Sequence, residues 1–144
     1  MTDLQLNLIN TPENLKRCFR IMKELRPHLE YQAFADIYEY AHEADGYEIV
    51  GLEKDGQIVA VMGYRFLYDY VHGKHVYIDD LVTTESVRSK GAGSQLLKYA
   101  ESIAQQHNCM NLRLCTGIEN EQGKKFYERN GWNVRAIVYK KKII

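Results

Sequence analysis

Three extended runs in succession, Tyr47 to Glu53, Gln57 to about Tyr68 and Val76 to Thr83, constrain the fold of this chain more than any other feature. Lys54-Asp55-Gly56 joins the first two, and a short Asp-Gly connection between apolar runs signals a β-hairpin. His72-Gly73-Lys74 makes the second turn. Strands joined so tightly run antiparallel, whereas parallel neighbours need a long crossover. The middle of the chain is therefore an antiparallel meander.

The flanking stretches read in two styles. Leu4, Leu6 and Leu8 alternate with polar residues, as a half-buried first strand does. Thr11-Pro12-Glu13 offers an N-cap, a proline at the first helical position and an acid in the first turn. That helix is predicted to about Arg26, burying Leu15, Phe19 and Met22 before Pro27 stops it. A second runs roughly from Tyr31 to Ala44, with Phe34, Ile37, Tyr38 and Ala41 on its apolar side and Asp45-Gly46 as its close. After the meander come a helix through Leu96, Leu97, Ala100, Ile103 and Ala104 to about His107, a strand Asn111 to Cys115, a helix Asn120 to Asn130 with Gly131 as its αL stop, and a last strand Asn133 to Lys140. The order is β-α-α-β-β-β-α-β-α-β. A meander followed by βαβ units predicts an α/β chain of the α+β type, a single domain over residues 1–144 with a mixed, mostly antiparallel sheet and helices on its faces.

Between the third meander strand and the next helix lies Arg88-Ser89-Lys90-Gly91-Ala92-Gly93-Ser94. A strand, a glycine turn and a helix together make an anion cradle: free N–H groups and the helix dipole favour negative charge, and glycines admit close approach. A plain flexible helix start is the other reading. A Walker A loop is excluded, because Gly93 is followed by Ser94 and Gln95 and not by Lys-Ser or Lys-Thr. A dinucleotide fingerprint is excluded as well, since Leu96 stands where a third small residue belongs.

Composition narrows the function classes. Lys and Arg number 19 against 19 Asp and Glu, so no basic surplus points to nucleic acid. No apolar run reaches the length of a membrane span. The three cysteines, Cys18, Cys109 and Cys115, are odd in number and widely spaced, and no signal-peptide pattern accompanies them; a cytoplasmic setting is expected. His107, Cys109 and Cys115 have no supporting Cys-x-x-Cys or His-x-x-x-His unit, so no metal is expected. His72 and His75 flank a turn and read as surface residues.

Ile78-Asp79-Asp80-Leu81-Val82-Thr83, then Arg88-x-x-Gly91-x-Gly93, then Asn120 followed by Phe126-Tyr127-Glu128-Arg129-Asn130-Gly131-Trp132, together resemble the GNAT superfamily of acyl-CoA-dependent N-acetyltransferases. The resemblance implies the GNAT fold, with a six- to seven-stranded sheet, and acetyl-CoA as acyl donor. It implies a pyrophosphate grip from the backbone of Arg88, Ser89, Lys90, Gly91, Ala92, Gly93 and Ser94. Backbone of Leu81, Val82 and Thr83 is implied to pair with the pantetheine arm, and Asn120, Lys124 and Tyr127 to complete the cofactor site. For Arg88 the resemblance implies either phosphate binding or bracing of the loop. The family also implies a possible homodimer with the final strand at the partner edge.

The chemistry of individual residues adds to this. Asn120 and Tyr127 fall on one helix face two turns apart, with Gly123 between them. Asn120 serves as N-cap, as a partner of the arm, or as both. Tyr127 is the expected general acid: its phenol, with an ordinary pKa near 10, can protonate a leaving thiolate without ionising at neutral pH. A helix-to-sheet core contact is its other reading. Asp79 and Asp80 are adjacent carboxylates inside a strand, where alternation sends them to opposite faces. Asp80, beside Ile78 and Val82, is the expected base, with its pKa raised by apolar surroundings, and Asp79 the expected counter-ion for an amine. A bulge would change that assignment, and structural pairing with Arg65 is the competing account. Cys115, in an apolar strand, is expected to be inert, which favours direct transfer in a ternary complex. The expected function is acetyl transfer to a primary amine of a small molecule; a protein lysine or N-terminal amine, and a non-catalytic acyl-CoA sensor, are the alternatives.

Overall fold

The computed structural model describes residues 4–87 and 91–144. They divide into two compact units, Met1–Arg113 and Leu114–Ile144. The expected cradle residues Arg88, Ser89 and Lys90 lie outside the described residues.

In the first unit the meander forms as its turns dictate. β1 (Gln5–Leu8), β2 (Glu48–Lys54), β3 (Gln57–Asp69) and β4 (Gly73–Thr83) are joined antiparallel in sequence order, and β5 (Leu112–Leu114) lies beside β4. Asp55 and Gly56 both take positive φ, 52° and 77°, between the paired residues Lys54 and Gln57. That is the two-residue turn whose twist suits a hairpin.

Helix α1 (Pro12–Leu25) begins where Thr11 Oγ1 accepts the Asn14 N–H at 3.1 Å, with Pro12 at its start. Its buried stripe is Leu15, Cys18, Ile21 and Met22. Helix α2 (Tyr31–Asp45) ends at Gly46, φ 68°, which returns its N–H to the His42 carbonyl. Both pack on the face that presents Ile49, Ile58, Val61 and Val82. Val50, Leu52, Ala60 and Met62 alternate to the other face and are also fully buried. There α3 (Ala92–Gln106) supplies Leu96, Leu97, Ala100 and Ala104. The expected arrangement, helices on both faces of a mostly antiparallel sheet, is present.

The second unit contains α4 (Glu121–Arg129) and the segment after it. Gly131, φ 89°, follows the helix as expected. The predicted last strand, Asn133 to Lys140, does not form, so the sheet has five strands among the described residues and not six or seven. Val134, Ile137, Val138 and Tyr139 are each more than two-thirds exposed. Apolar residues alone do not make a strand; a ladder needs a neighbour for its N–H and C=O groups.

Candidate active site

Asp79 and Asp80 sit at a break in the β3–β4 register. Asp80 pairs with Gly63 and Ile78 with Tyr64, leaving Asp79 as an extra residue in a bulge. The bulge cancels the alternation that would send the two carboxylates to opposite faces. Both join one cluster instead. Asp79 Oδ2 accepts from Arg65 Nε at 2.9 Å, and Arg65 Nη1 reaches Asp45 at 2.7 Å. Asp80 accepts from the Tyr47 hydroxyl at 2.8 Å and from Arg26 Nη2 at 3.2 Å. The Arg65 guanidinium lies 5.1 Å from the centre of the Tyr47 ring, closing the circle.

Gly63 makes this arrangement possible. A Cβ there would fall 1.9 Å from the Tyr47 hydroxyl, so the phenol reaches Asp80 only because position 63 has no side chain. Burial, and then Asp80, push the Tyr47 phenol well above its ordinary pKa, which keeps it a donor. Desolvation raises the Asp79 carboxyl, with Arg65 opposing. Asp80 has two donors where apolar surroundings were expected. Tyr47, Arg26 and Gly63 are not recognisable as site residues in the sequence by charge pattern; a glycine inside an apolar strand, a mark of close approach, was the available signal.

Further along β4, Leu81, Val82 and Thr83 pair with Met62, Val61 and Ala60 of β3. β5 has three residues against eleven in β4, and a Val76 N–H to Asn111 carbonyl bond of 3.3 Å marks their contact at the opposite end. A short neighbour cannot cover the whole outer edge of β4, so length alone leaves backbone there for an amide-bearing ligand. Gly91 caps α3 at φ 87° with open space around its Cα. The following residues, Ala92, Gly93 and Ser94, form the first turn, whose N–H groups have no partner within the helix. A 15-residue helix with that start fits a phosphate.

In the second unit, Asn120 is the N-cap of α4. Its Oδ1 accepts the Gly123 N–H at 3.0 Å and its Nδ2 donates to Thr116 Oγ1 at 3.0 Å. A Cβ on Gly123 would meet Asn120 Nδ2 at 2.4 Å, so this glycine admits the cap itself. Lys124 Nζ pairs with Glu121 Oε1 at 3.0 Å. Tyr127 lies edge-on to Phe126 and Trp132, with ring centres 5.2 and 5.9 Å away. Burial raises its phenol pKa, and among the described residues its hydroxyl has no hydrogen-bond partner.

The histidine and cysteine expectations need correction. His75 is fully buried, not a surface residue. Cys115 follows β5 and is exposed, so burial does not withhold its thiol. Cys18 is the shielded one, pushed up to about 12 by burial and then by Asp80. Among the described residues no helix is long and apolar enough to cross a membrane.

Residues 11–132 match the acetyltransferase (GNAT) family. The uncharacterized N-acetyltransferase YhdJ of Bacillus subtilis is 26% identical over 141 residues, covering 97% of this chain and 99% of that protein. Thialysine N-epsilon-acetyltransferase of Bos taurus is 28% identical over 131 residues, 79% of this chain and 77% of that one. In three dimensions the chain is similar to aminoglycoside N-acetyltransferase AAC(6')-Iy in complex with CoA, with a TM-score of 0.86 at 21% identity over 99% and 97% of the two chains.

Proposed function

The chain belongs to the GNAT family of acetyltransferases and is an acetyl-CoA-dependent N-acetyltransferase; from that premise, we propose that it passes acetyl directly from acetyl-CoA to the primary amine of a small molecule. The carboxylate pair at the β4 bulge is the observation that carries this reading. An amine arrives as an ammonium ion and must lose a proton before its nitrogen can attack. Asp79 and Asp80 offer negative charge in a half-buried cluster, and desolvation, opposed by Arg65, raises the Asp79 carboxyl, the direction that suits a proton acceptor.

The donor half uses backbone. The first turn of α3 from Gly91, together with Arg88, Ser89 and Lys90, receives the pyrophosphate, and Leu81 to Thr83 pair with the pantetheine amides. Asn120 keeps a second Nδ2 hydrogen beyond the one given to Thr116, and donates it to the arm. As the new C–N bond forms and the C–S bond breaks, the thiolate of CoA takes the Tyr127 hydroxyl proton and leaves as the free thiol, and the second proton that the nitrogen sheds on becoming an amide restores the phenol through solvent. Burial keeps that hydroxyl protonated at neutral pH, and among the described residues it has no hydrogen-bond partner to compete for the proton.

A small acceptor is supported by the thialysine N-epsilon-acetyltransferase relative, whose name specifies an amine of that size. Calorimetry with acetyl-CoA, CoA and ATP, followed by thiol release with a panel of small amines and lysine peptides, tests the reading. Binding of acetyl-CoA with turnover of a small amine is the expected result. Binding without turnover of any acceptor would make the chain a sensor, and turnover confined to peptides would move the acceptor to protein. Cys115→Ala should turn over as the parent does; loss of burst and steady-state activity together would overturn direct transfer.

A further inference from the structure

The hairpin that joins β3 to β4 carries a second cluster, unused by the chemistry above. Asp69 ends β3, His72 stands in the turn and His75 lies just inside β4, at zero exposure. The protonation of His75 follows from its two partners. Its Nδ1 is 2.9 Å from the Gly73 carbonyl, which only accepts, and its Nε2 is 3.2 Å from Arg113 Nε, which only donates. Nδ1 therefore carries the hydrogen and Nε2 presents a lone pair.

The lone pair accepts from Arg113, and Asp69 Oδ2 lies 3.9 Å from the same Nε2. Two acceptor atoms that close together favour a cation beside them. Arg113 supplies one, but unequally: it hydrogen-bonds the imidazole, while its Nη2 stays 3.8 Å from the carboxylate. His72 brings a third donor atom, its Nδ1 lying 3.2 Å from each Asp69 oxygen. One ligand atom from each of the three residues lies within 4.8 Å of the other two.

We propose that Asp69, His72 and His75 form a binding site for a divalent transition metal of the zinc type, which displaces the Arg113 side chain. The ligand types select the ion: two imidazoles and one carboxylate suit zinc, cobalt or nickel and do not suit magnesium or calcium. The distances suit it as well. Metal bonds of about 2.0–2.1 Å in a tetrahedron hold donor atoms roughly 3.3 Å apart, so the Asp69–His75 pair closes by about half an ångström, and the two imidazole nitrogens, within 4.8 Å of each other, draw together as the ion binds. The Gly73 carbonyl already orients His75 through Nδ1–H, the usual support for an Nε2 ligand. Arg113 is free to swing outward, being one-third exposed, and its guanidinium keeps the Tyr77 ring, 5.3 Å away, as an alternative neighbour. The ion clasps the hairpin by tying the end of β3 to the start of β4, and leaves a fourth position for water.

Titration of tag-free, metal-free protein tests this, with Zn²⁺ followed by calorimetry and Co²⁺ by its visible absorption. One ion per chain is expected, with a tetrahedral cobalt spectrum and a higher melting temperature in zinc. Asp69→Asn and His72→Ala, both at partly exposed positions, should each weaken binding about tenfold or more. Arg113→Gln should tighten it, because the competing cation is gone. Absence of stoichiometric binding would overturn the site, and so would binding that survives both ligand substitutions. If Arg113→Gln weakens binding, the displacement of that arginine is wrong. None of these readouts depends on acetyl transfer, so the metal site and the enzymatic reading stand or fall separately.

Discussion

The acid cluster of the first unit and the helix of the second hold their side chains by opposite means. Asp79 and Asp80 are fixed by residues far away in sequence: Arg65, Asp45, Tyr47 and Arg26, with Gly63 opening the space. Asn120 is fixed within its own turn by Gly123 and Thr116, and α4 has no fully buried residue. A cluster tied at many points couples function to stability, because removing one member leaves charged or polar partners unsatisfied. A helix held by local bonds lets a side chain change with little effect on the rest.

The contrast makes ordered predictions. Tyr127→Phe should lower kcat about 100-fold or more, the usual scale for a lost general acid, while the melting temperature stays close to the parent's. Burial raises the phenol above its ordinary range, so the parent rate should show no decline from this group through neutral and mildly alkaline pH. A stability loss as large as that of the cluster variants would erase the proposed difference between the regions.

Asp80→Asn should lower both kcat/KM and stability, the latter by about 1–3 kcal/mol, since Tyr47 and Arg26 lose a charged acceptor. Activity and denaturant unfolding measured on one preparation would decide; a stability identical to the parent's would show that the cluster is not coupled. Gly63→Ala, which changes no charge, should cost about 1–3 kcal/mol by overpacking against Tyr47. Unfolding in urea with an unaltered midpoint would mean that Tyr47 moves aside freely. Gly123→Ala should have the smallest effect. Alanine gains about 1 kcal/mol of helix propensity and loses about as much through the displaced Asn120 cap, so the melting temperature should barely change. The affinity for CoA, read by calorimetry, should fall nevertheless if Asn120 serves the arm.

How much of this was legible follows the same division. The Asp55-Gly56 turn, the Thr11 cap, the Gly46 and Gly131 stops and the Asn120 start of α4 are chemistry between near neighbours, and the sequence displays each. Asp79 and Asp80 were visible as unusual residues, yet their geometry was not. Strict alternation puts them on opposite faces, and the bulge is a property of two strands in register, which neither strand states alone. The segment after Trp132 failed for a related reason: a ladder depends on a partner, and its own apolar residues do not provide one.

The sequence by itself determined the antiparallel meander, the helix boundaries and the Gly91 start of α3, because turns, caps and periodicity act over a few residues. Tertiary structure alone decided that Tyr47 passes beneath Gly63 to reach Asp80, that Arg65 balances Asp79, and that His75 is buried with Nε2 accepting from Arg113 near Asp69. Those outcomes depend on desolvation and on which charges meet across strands, and both exist only once the sheet has closed.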